Sequence, residues 1–528
     1  MPTSRLAAAL AAGLLAVALG SPAHARTLRV ANQGDALSMD PHSLAEAVQL
    51  SFVGNVYEPL VTRDAKLALQ PALATGWKAT APNTWRFELR RGVQFHDGTP
   101  FTADDVVFSI ERARGEGSDL RTQTASIRQV RKAGDGAIEI DTHAPNPILP
   151  ELLTTVYVMS RPWAQANQAE RPVDRRKGIE NAASFRANGT GPYRLRERQP
   201  GVRTVLVRNG TYWGRIEGNV TEVVWQPIGN DGTRVAALVS GEVDLIDPVP
   251  LQDIPRIQRD ARLEVMESPE SRIVFLGFDQ ARDELLYSSV KGKNPFKDKR
   301  VRQAFYQAID VETIRKQVMR GAAVPAGLIV AQGVRGYSAE MDKRLPYDPE
   351  AARRLLAEAG YPNGFEVTLN CPNDRYVRDS EICESAVAYL ARIGVRVRLQ
   401  AETKATYFPK VLKRDTSFFM AGWSPSGYDA HNALFALAAT PSPTGGGQGS
   451  WNLGAWSDAR VDELVPKIQS ELDPKRREAM IHEALQIHRD AIAHIPLHQQ
   501  MLAWGMKKPV DAVQRADNFM FFRWVTVR

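Results

Sequence analysis

The chain is poor in cysteine, with only Cys371 and Cys383 among 528 residues. Two thiols are too few for a cysteine-only metal site. It also lacks an apolar run long enough to cross a bilayer. The longest, Leu6–Gly20, has 15 residues, against the roughly 20 that a spanning helix needs. Charge of one sign is not concentrated. The 67 basic residues barely outnumber the 60 acidic ones and form no long Lys/Arg block, which argues against nucleic acid as a partner. Neither a Gly-x-Ser-x-Gly elbow nor a His-Glu-x-x-His pair occurs, so two common hydrolase marks are missing. There is no internal repeat, and a single low-complexity stretch, Thr440–Ser450, reads as a surface loop.

What is present begins with the export pattern. Arg5, the Leu/Ala-rich run Leu6–Gly20 and Ala23-His24-Ala25 predict a cleavable signal over residues 1–25, cut after Ala25. No cysteine follows the cut, so no lipid anchor is expected. An exported chain sits in an oxidising compartment, where an even pair of cysteines suggests a disulfide. Spacing alone leaves open whether Cys371 and Cys383 are joined. The remaining length, about 500 residues, exceeds one hydrophobic core and predicts two or three domains.

The pattern along the chain is α/β. Strand-like runs fall at Thr27–Asn32, Trp85–Phe95, Ala137–Thr142, Arg203–Arg208, Glu222–Ile228, Arg272–Phe278, Phe365–Leu369, Val395–Leu399 and Ser417–Ala421. Helical periodicity marks Asp298–Arg320, Pro349–Gly360, Asp379–Ile393 and Asp473–Asp490. Strands alternating with helices favour mostly parallel sheets covered on both faces. Two such lobes would leave a cleft between them, where ligands commonly bind.

One run carries more information than the rest: LATGWKATAPNTWRFELRRGVQFHDGTPFTADDVVFSIERA, from Leu73 to Ala113. Trp85, Phe87 and Leu89 alternate with Arg86, Glu88 and Arg90, as in a strand with one buried face. Asp97-Gly98 is a turn signal. Thr102 with Asp105 three residues on is a helix start. The local physics reads as scaffold. The whole run also resembles the signature of the family 5 extracellular solute-binding proteins. The resemblance extends to Asp40-Pro41-His42, Val56–Val61, Gly189–Tyr193, Arg208–Gly214 and Asn294–Ala304, and so covers nearly the whole mature chain.

That resemblance implies a two-lobed periplasmic-binding-protein fold of type II, with the ligand cleft between the lobes. Lobe I would comprise residues 26–275, with an extra subdomain near 66–190, completed by 491–528; lobe II would be 276–490. It implies a periplasmic monomer without cofactor or enzymatic activity. Such a protein would capture a peptide or similar small solute and hand it to the permease and ATPase subunits of an ABC importer. Other solutes known from the family, a nickel–chelator complex, glutathione, an opine or a sugar, stay open. A docking role at a chemoreceptor would leave no mark in the sequence. A secreted hydrolase is the reading from a different class, and abundant unplaced carboxylates are its only support.

Candidate ligand residues follow strand ends. The loop Gly422–Asn432, after the run Ser417–Ala421, holds Trp423, Ser426, Tyr428, Asp429 and His431. Trp and Tyr can line a pocket while donating one hydrogen bond each. In dipeptide-binding relatives an Asp three residues after this Trp pairs with the ligand amine; Ser426 stands there. Asp429 is the alternative acceptor, or else a helix cap. Arg375 occupies a position resembling the carboxylate-binding arginine of the same relatives, a role that suits its planar fork. Tyr407 aligns loosely with a ligand-facing Tyr of nickel-binding relatives. His482 and His488 are six apart, the wrong spacing for a helical metal pair, and Pro496 between His494 and His498 argues against a helix there. No metal site is expected.

Overall fold

Period-two patterning becomes strand wherever one face can be buried. The computed structural model describes residues 26–174, 178–442 and 448–528. The predicted export segment therefore lies outside the described residues, as does the centre of the Gly-rich loop. The strands Thr27–Asn32, Ala137–Thr142 and Arg203–Arg208 have the bounds read from sequence. The Trp85 run is shorter than expected: pairing ends at Leu89, with Phe87 and Leu89 buried. It joins a four-stranded antiparallel sheet with Ala74–Ala81, Ala137–Thr142 and Ile127–Lys132. The Asp97-Gly98 turn has Gly98 at φ 87°, a conformation that costs glycine little. Asp105 accepts hydrogen bonds from the Thr102 backbone N–H and hydroxyl at 2.8 and 2.7 Å, fixing the start of helix Ala103–Arg114.

The main sheet is mixed and runs through the whole molecule. At one end Arg396–Glu402, Glu366–Pro372 and Phe418–Trp423 lie parallel, with Glu366–Pro372 in the middle. At the other, Thr27–Asn32 lies parallel to Leu245–Asp247 and Glu222–Pro227, with Arg203–Arg208 and Tyr193–Gln199 beyond. Two long antiparallel strands, Leu263–Phe278 and His494–Lys507, join the ends. Their halves serve different lobes. Met506 and Gly505 pair with Leu245–Asp247, whereas Ile273–Phe278 pair with Phe418–Trp423. Between the halves, the register slips between Pro269 and Ile273. The result is a two-lobed α/β periplasmic-binding-protein fold in which both lobes share two strands.

Three apolar clusters hold this together. One fills the first lobe and the four-stranded subdomain, around Phe52, Phe87, Tyr157 and Phe522. A second crosses from Leu238 and Ile246 to the ring cluster Phe278, Phe296, Phe305 and Phe418. The third packs the opposite face of the second lobe, around Phe275, Phe419, Leu437 and Leu464. One helix differs from its expectation. Asp298–Arg320 is broken: Lys299–Ala308 ends where Ile309 turns extended, and Asp310 caps a new turn by accepting from Thr313 N at 2.9 Å. A five-residue π-helical turn, Ile314–Val318, follows.

Candidate functional site

Parallel strands leave their C-terminal ends facing loops, and in α/β sheets ligands gather there. Past Pro372 comes the loop with Arg375 and Tyr376; past Glu402 the helix Lys404–Leu412; past Trp423 the segment Ser424–Asp429. The register slip in Leu263–Phe278 brings Glu270–Arg272 to the same edge, because Ile273 is opposite Trp423.

A charged cluster forms here. Arg272 is paired with Glu270 at 3.0 Å, and both side chains are largely buried. Burial works against the Arg272 charge, but Glu270 outweighs it and the pKa of Arg272 is raised. The other Glu270 oxygen accepts from Gln500 Nε2 at 2.7 Å. Arg375 reaches solvent, yet partial desolvation and the nearby Arg272 push its pKa below the ordinary value; it stays a cation at neutral pH. Its guanidinium is over the Tyr376 ring, 5.2 Å from the centroid, and has no ion pair among the described residues. Tyr376 is buried, and its hydroxyl accepts from Gly422 N at 2.7 Å, tying the Arg375 loop to the Trp423 strand. Ser271 and Ser424 share a hydrogen bond of 2.9 Å. Glu46 comes from the first lobe, capping helix Ala47–Val53, and its field acts on both arginines.

The Arg375 loop is clamped by a disulfide. Cys371, at the end of strand Glu366–Pro372, bonds Cys383 in helix Asp379–Ala391, 12 residues on. Asp379 adds to the clamp, accepting from the backbone N–H of Arg375 and Tyr376 at 2.9 and 3.0 Å.

The remaining candidates separate. Trp423 is half-buried, and its indole N–H donates to Asn432 Oδ1 at 3.0 Å. Its ring is 5.7 Å from that of Trp451. Asp429 is 1% exposed and is not a free acceptor. Arg477 grips both of its oxygens at 2.7 and 2.8 Å, and Asp429 also caps the turn Ala430–Ala433 by accepting from His431 N. An amine would have to displace a buried guanidinium, so Asp429 is structural here. Tyr407 is fully buried, with its hydroxyl donating to the Met420 carbonyl. Helix Lys404–Leu412 turns Tyr407 inward, with its hydroxyl already engaged, and leaves its neighbour Phe408 half-buried. Ser426 begins the one-turn helix Ser426–Tyr428.

Tyr428 is in the seam between the lobes. Arg63 of the first lobe is 4.6 Å above its ring, and Arg63 Nη2 donates to the Gly427 carbonyl at 2.8 Å. Gly427 has φ 76°, and a Cβ there would come 3.5 Å from Glu151 Cβ. Glu151 is buried in the first lobe and pairs with Arg335 of the second at 2.8 Å. Behind Tyr428 a cavity is lined by Glu58, Arg63, Tyr157, Arg515, Asp517 and Arg523. His431 is buried, stacked on Phe435 and neutral, its pKa lowered by burial to about 4. Among the described residues no group of three His, Cys, Asp or Glu is arranged to hold a metal. Sequence reasoning missed Glu270, Arg272 and Arg335. The only signal for the first two was Pro269-Glu270-Ser271-Arg272, a charged break just before an apolar strand.

Comparison with known proteins places this architecture. The glutathione-binding protein GsiB of Shigella flexneri serotype 5b is 24% identical over 495 residues, spanning 92% of this chain and 91% of its own. The ABC transporter-associated periplasmic binding protein DppA of Helicobacter pylori, solved with the peptide STSA, superposes with TM-score 0.76. It is 23% identical, over 95% of this chain and 98% of that one. AgaA from A. tumefaciens R10, solved with agropinic acid, also gives TM-score 0.76, at 21% identity over 95% and 99% of the two chains. The profile of the bacterial extracellular solute-binding proteins, family 5 Middle, matches residues 68–444, well over half of the sequence. With its two lobes, shared strands and this match over most of its length, the chain belongs to the family 5 bacterial extracellular solute-binding proteins.

Proposed function

We propose that this protein is the periplasmic capture component of an ABC importer, taking up a short peptide or a similar small solute with a free carboxylate. The reading rests on one observation above the others. Arg375, a clamped cation at the strand-end edge, has no ion-paired carboxylate among the described residues, while Arg272 beside it is already matched by Glu270. A planar guanidinium in that setting suits a ligand carboxylate. Trp423 would supply an apolar platform with its N–H already engaged by Asn432. Closure would hinge where the register slips, near Pro269–Ile273, with the first lobe reaching from residue 26 to that point and completed by the C-terminal tail. The closed, loaded monomer would dock on permease subunits. The names of the relatives, which include a peptide-loaded and a glutathione-binding protein, support this class of ligand.

A second reading, a non-peptide anion, has its own support. Ser426 stands where the resemblance to dipeptide-binding relatives implies an amine-binding aspartate, Asp429 is occupied by Arg477, and a similar fold holds agropinic acid. Native mass spectrometry of the protein purified from periplasm, with fragmentation of whatever is released, separates the two. A ladder of short peptides supports the first reading, and one defined non-peptide anion the second. Arg375→Ala should weaken free-carboxylate ligands by roughly tenfold or more, and their amides little, given charge-assisted bonds of about 1.5–3 kcal/mol. Equal losses for acid and amide would remove Arg375 from the site. Trp423→Ala should cost on the order of 2 kcal/mol of binding.

A further inference from the structure

The cavity behind Tyr428 holds an imbalance of charge. Its volume is about 30 Å³, and none of Arg272, Arg375 or Trp423 lines it, so it is not the strand-end edge. Three guanidinium groups border it, those of Arg63, Arg515 and Arg523, against two carboxylates, Glu58 and Asp517. Both carboxylates are already engaged. Glu58 accepts from the Tyr212 hydroxyl at 2.7 Å, and from Trp213 Nε1 and the Thr190 hydroxyl at 2.8 Å each. Asp517 pairs with Arg515 and accepts from Phe519 N at 3.0 Å. Arg63 is only 6% exposed. It donates from Nη1 to the Leu67 carbonyl at 2.7 Å and from Nη2 to that of Gly427, and its Nε has no hydrogen-bond partner among the described residues. Arg523 is over the rings of Trp524 and Phe521, 4.7 and 5.3 Å from their centroids. Neither Arg63 nor Arg523 has an ion pair among the described residues. Burial pushes the pKa of Arg63 below its ordinary value, with Glu151 opposing and Arg515 adding to the effect. A buried cation is seldom left without a counter-charge.

We propose that this cavity is an anion site, taking one small monoanion, a halide or the end group of a carboxylate, as counter-charge to Arg63 and Arg523. A water needs roughly 10–15 Å³ of such space, so the cavity admits an ion or an acid end group and excludes a whole solute. The site matters because its walls come from both lobes. The three arginines belong to the first, whereas Tyr428, under the Arg63 guanidinium, belongs to the second. An anion held there matches the charge that Arg63 brings to the seam. It binds the joined lobes more tightly than the parted ones, and by linkage it favours closure. The inference does not depend on what Arg375 binds.

The test is thermal unfolding of the mature, dialysed protein at constant ionic strength, with sodium chloride or sodium formate replacing sodium gluconate, whose anion is too large for the cavity. The melting temperature should rise saturably with either small anion. Arg63→Gln and Arg523→Gln should each need at least about tenfold more anion for half the effect, since each removes a charged donor. Arg523→Gln, a change at a half-buried side chain, decides the matter if Arg63→Gln fails to fold. The response should persist in Arg375→Ala; its loss there would move the anion to the strand-end arginine and overturn the site. Two peptide arms give the source of the anion. Excess Gly-Glu abolishing the chloride response where Gly-Gln does not assigns the site to an acid group of the solute, and a response intact with both assigns it to a free ion. No rise specific to the small anions, or a rise unchanged in both arginine variants, overturns the site and leaves the capture function standing.

Discussion

At the scale of single residues, the contrast between Asp429 and Arg375 decides what each can do. Both are charged and both follow strands, but Asp429 meets a partner 48 residues away that uses its whole carboxylate. Removing one member of such a buried pair leaves an uncompensated charge, at about 3–5 kcal/mol. Arg477→Met should therefore lower unfolding stability by that order in urea titration. Arg375→Ala, lacking an ion pair to break, should leave stability within about 0.5 kcal/mol, as for ordinary surface changes. A stable Arg477→Met variant would show that Asp429 is not held as the geometry indicates. His498 makes a third case. Both of its ring nitrogens are buried without a hydrogen-bond partner among the described residues. His498→Leu should be neutral or stabilising, because a buried unmatched polar group costs more than it contributes.

At the scale of elements, the segment Ser426–Asp429 is a bridge between lobes more than a binding loop. Its Gly427 carbonyl and Tyr428 ring are held by Arg63, and Arg335 reaches Glu151 from beside it. These contacts join the lobes, so they favour closure. Arg335→Ala leaves Glu151 buried and unmatched, and should shift unliganded protein toward an open form. Small-angle scattering should then show a larger radius of gyration that ligand restores; an unchanged profile would mean the bridge does not set the balance. Most elements of this kind were legible from pattern. Strands with one wet face, such as Thr84–Leu89, announced themselves by alternation. His494–Lys507 did not, because most of it is buried on both faces and carries polar residues at His494, His498 and Gln499. The helix predicted over Asp298–Arg320 kept its apolar spacing across a break, since periodicity persists where a single extended residue restarts the turn. In the candidate site, Arg375 and Trp423 lie at strand ends, as the sequence pattern predicts. Asp429 and Tyr407 misled because their partners, Arg477 and the Met420 carbonyl, are set by tertiary packing, which spacing does not encode.

At the scale of the whole molecule, buried histidines govern the response to acid. Burial lowers the pKa of His42, His96, His431 and His498 to about 4 and that of His494 to about 3, with Arg112 adding to the effect at His42. Unfolded histidine titrates near 6.5. The neutral ring is favoured in the fold, so this stability is complete above about pH 6.5 and is lost as pH falls toward 4. Asp247 acts in the opposite direction. Burial raises its pKa to about 7, so its contribution is present at low pH and lost as pH rises through 7. The acid-side groups are more numerous. The melting temperature should fall steeply from pH 6.5 to pH 4, measured by calorimetry at fixed ionic strength. A flat profile across that range would contradict neutral buried rings.

The disulfide has a consequence for where the protein can work. Cys371–Cys383 closes a short loop whose content includes Arg375 and the strand-end turn, and cross-links of that length stabilise by about 3 kcal/mol in the loop-entropy picture. Before export, in a reducing cytoplasm, the same loop lacks its clasp and the arginine is less well aimed. If Arg375 receives a ligand carboxylate as proposed, binding strength would be gained only once the clasp has formed in an oxidising compartment.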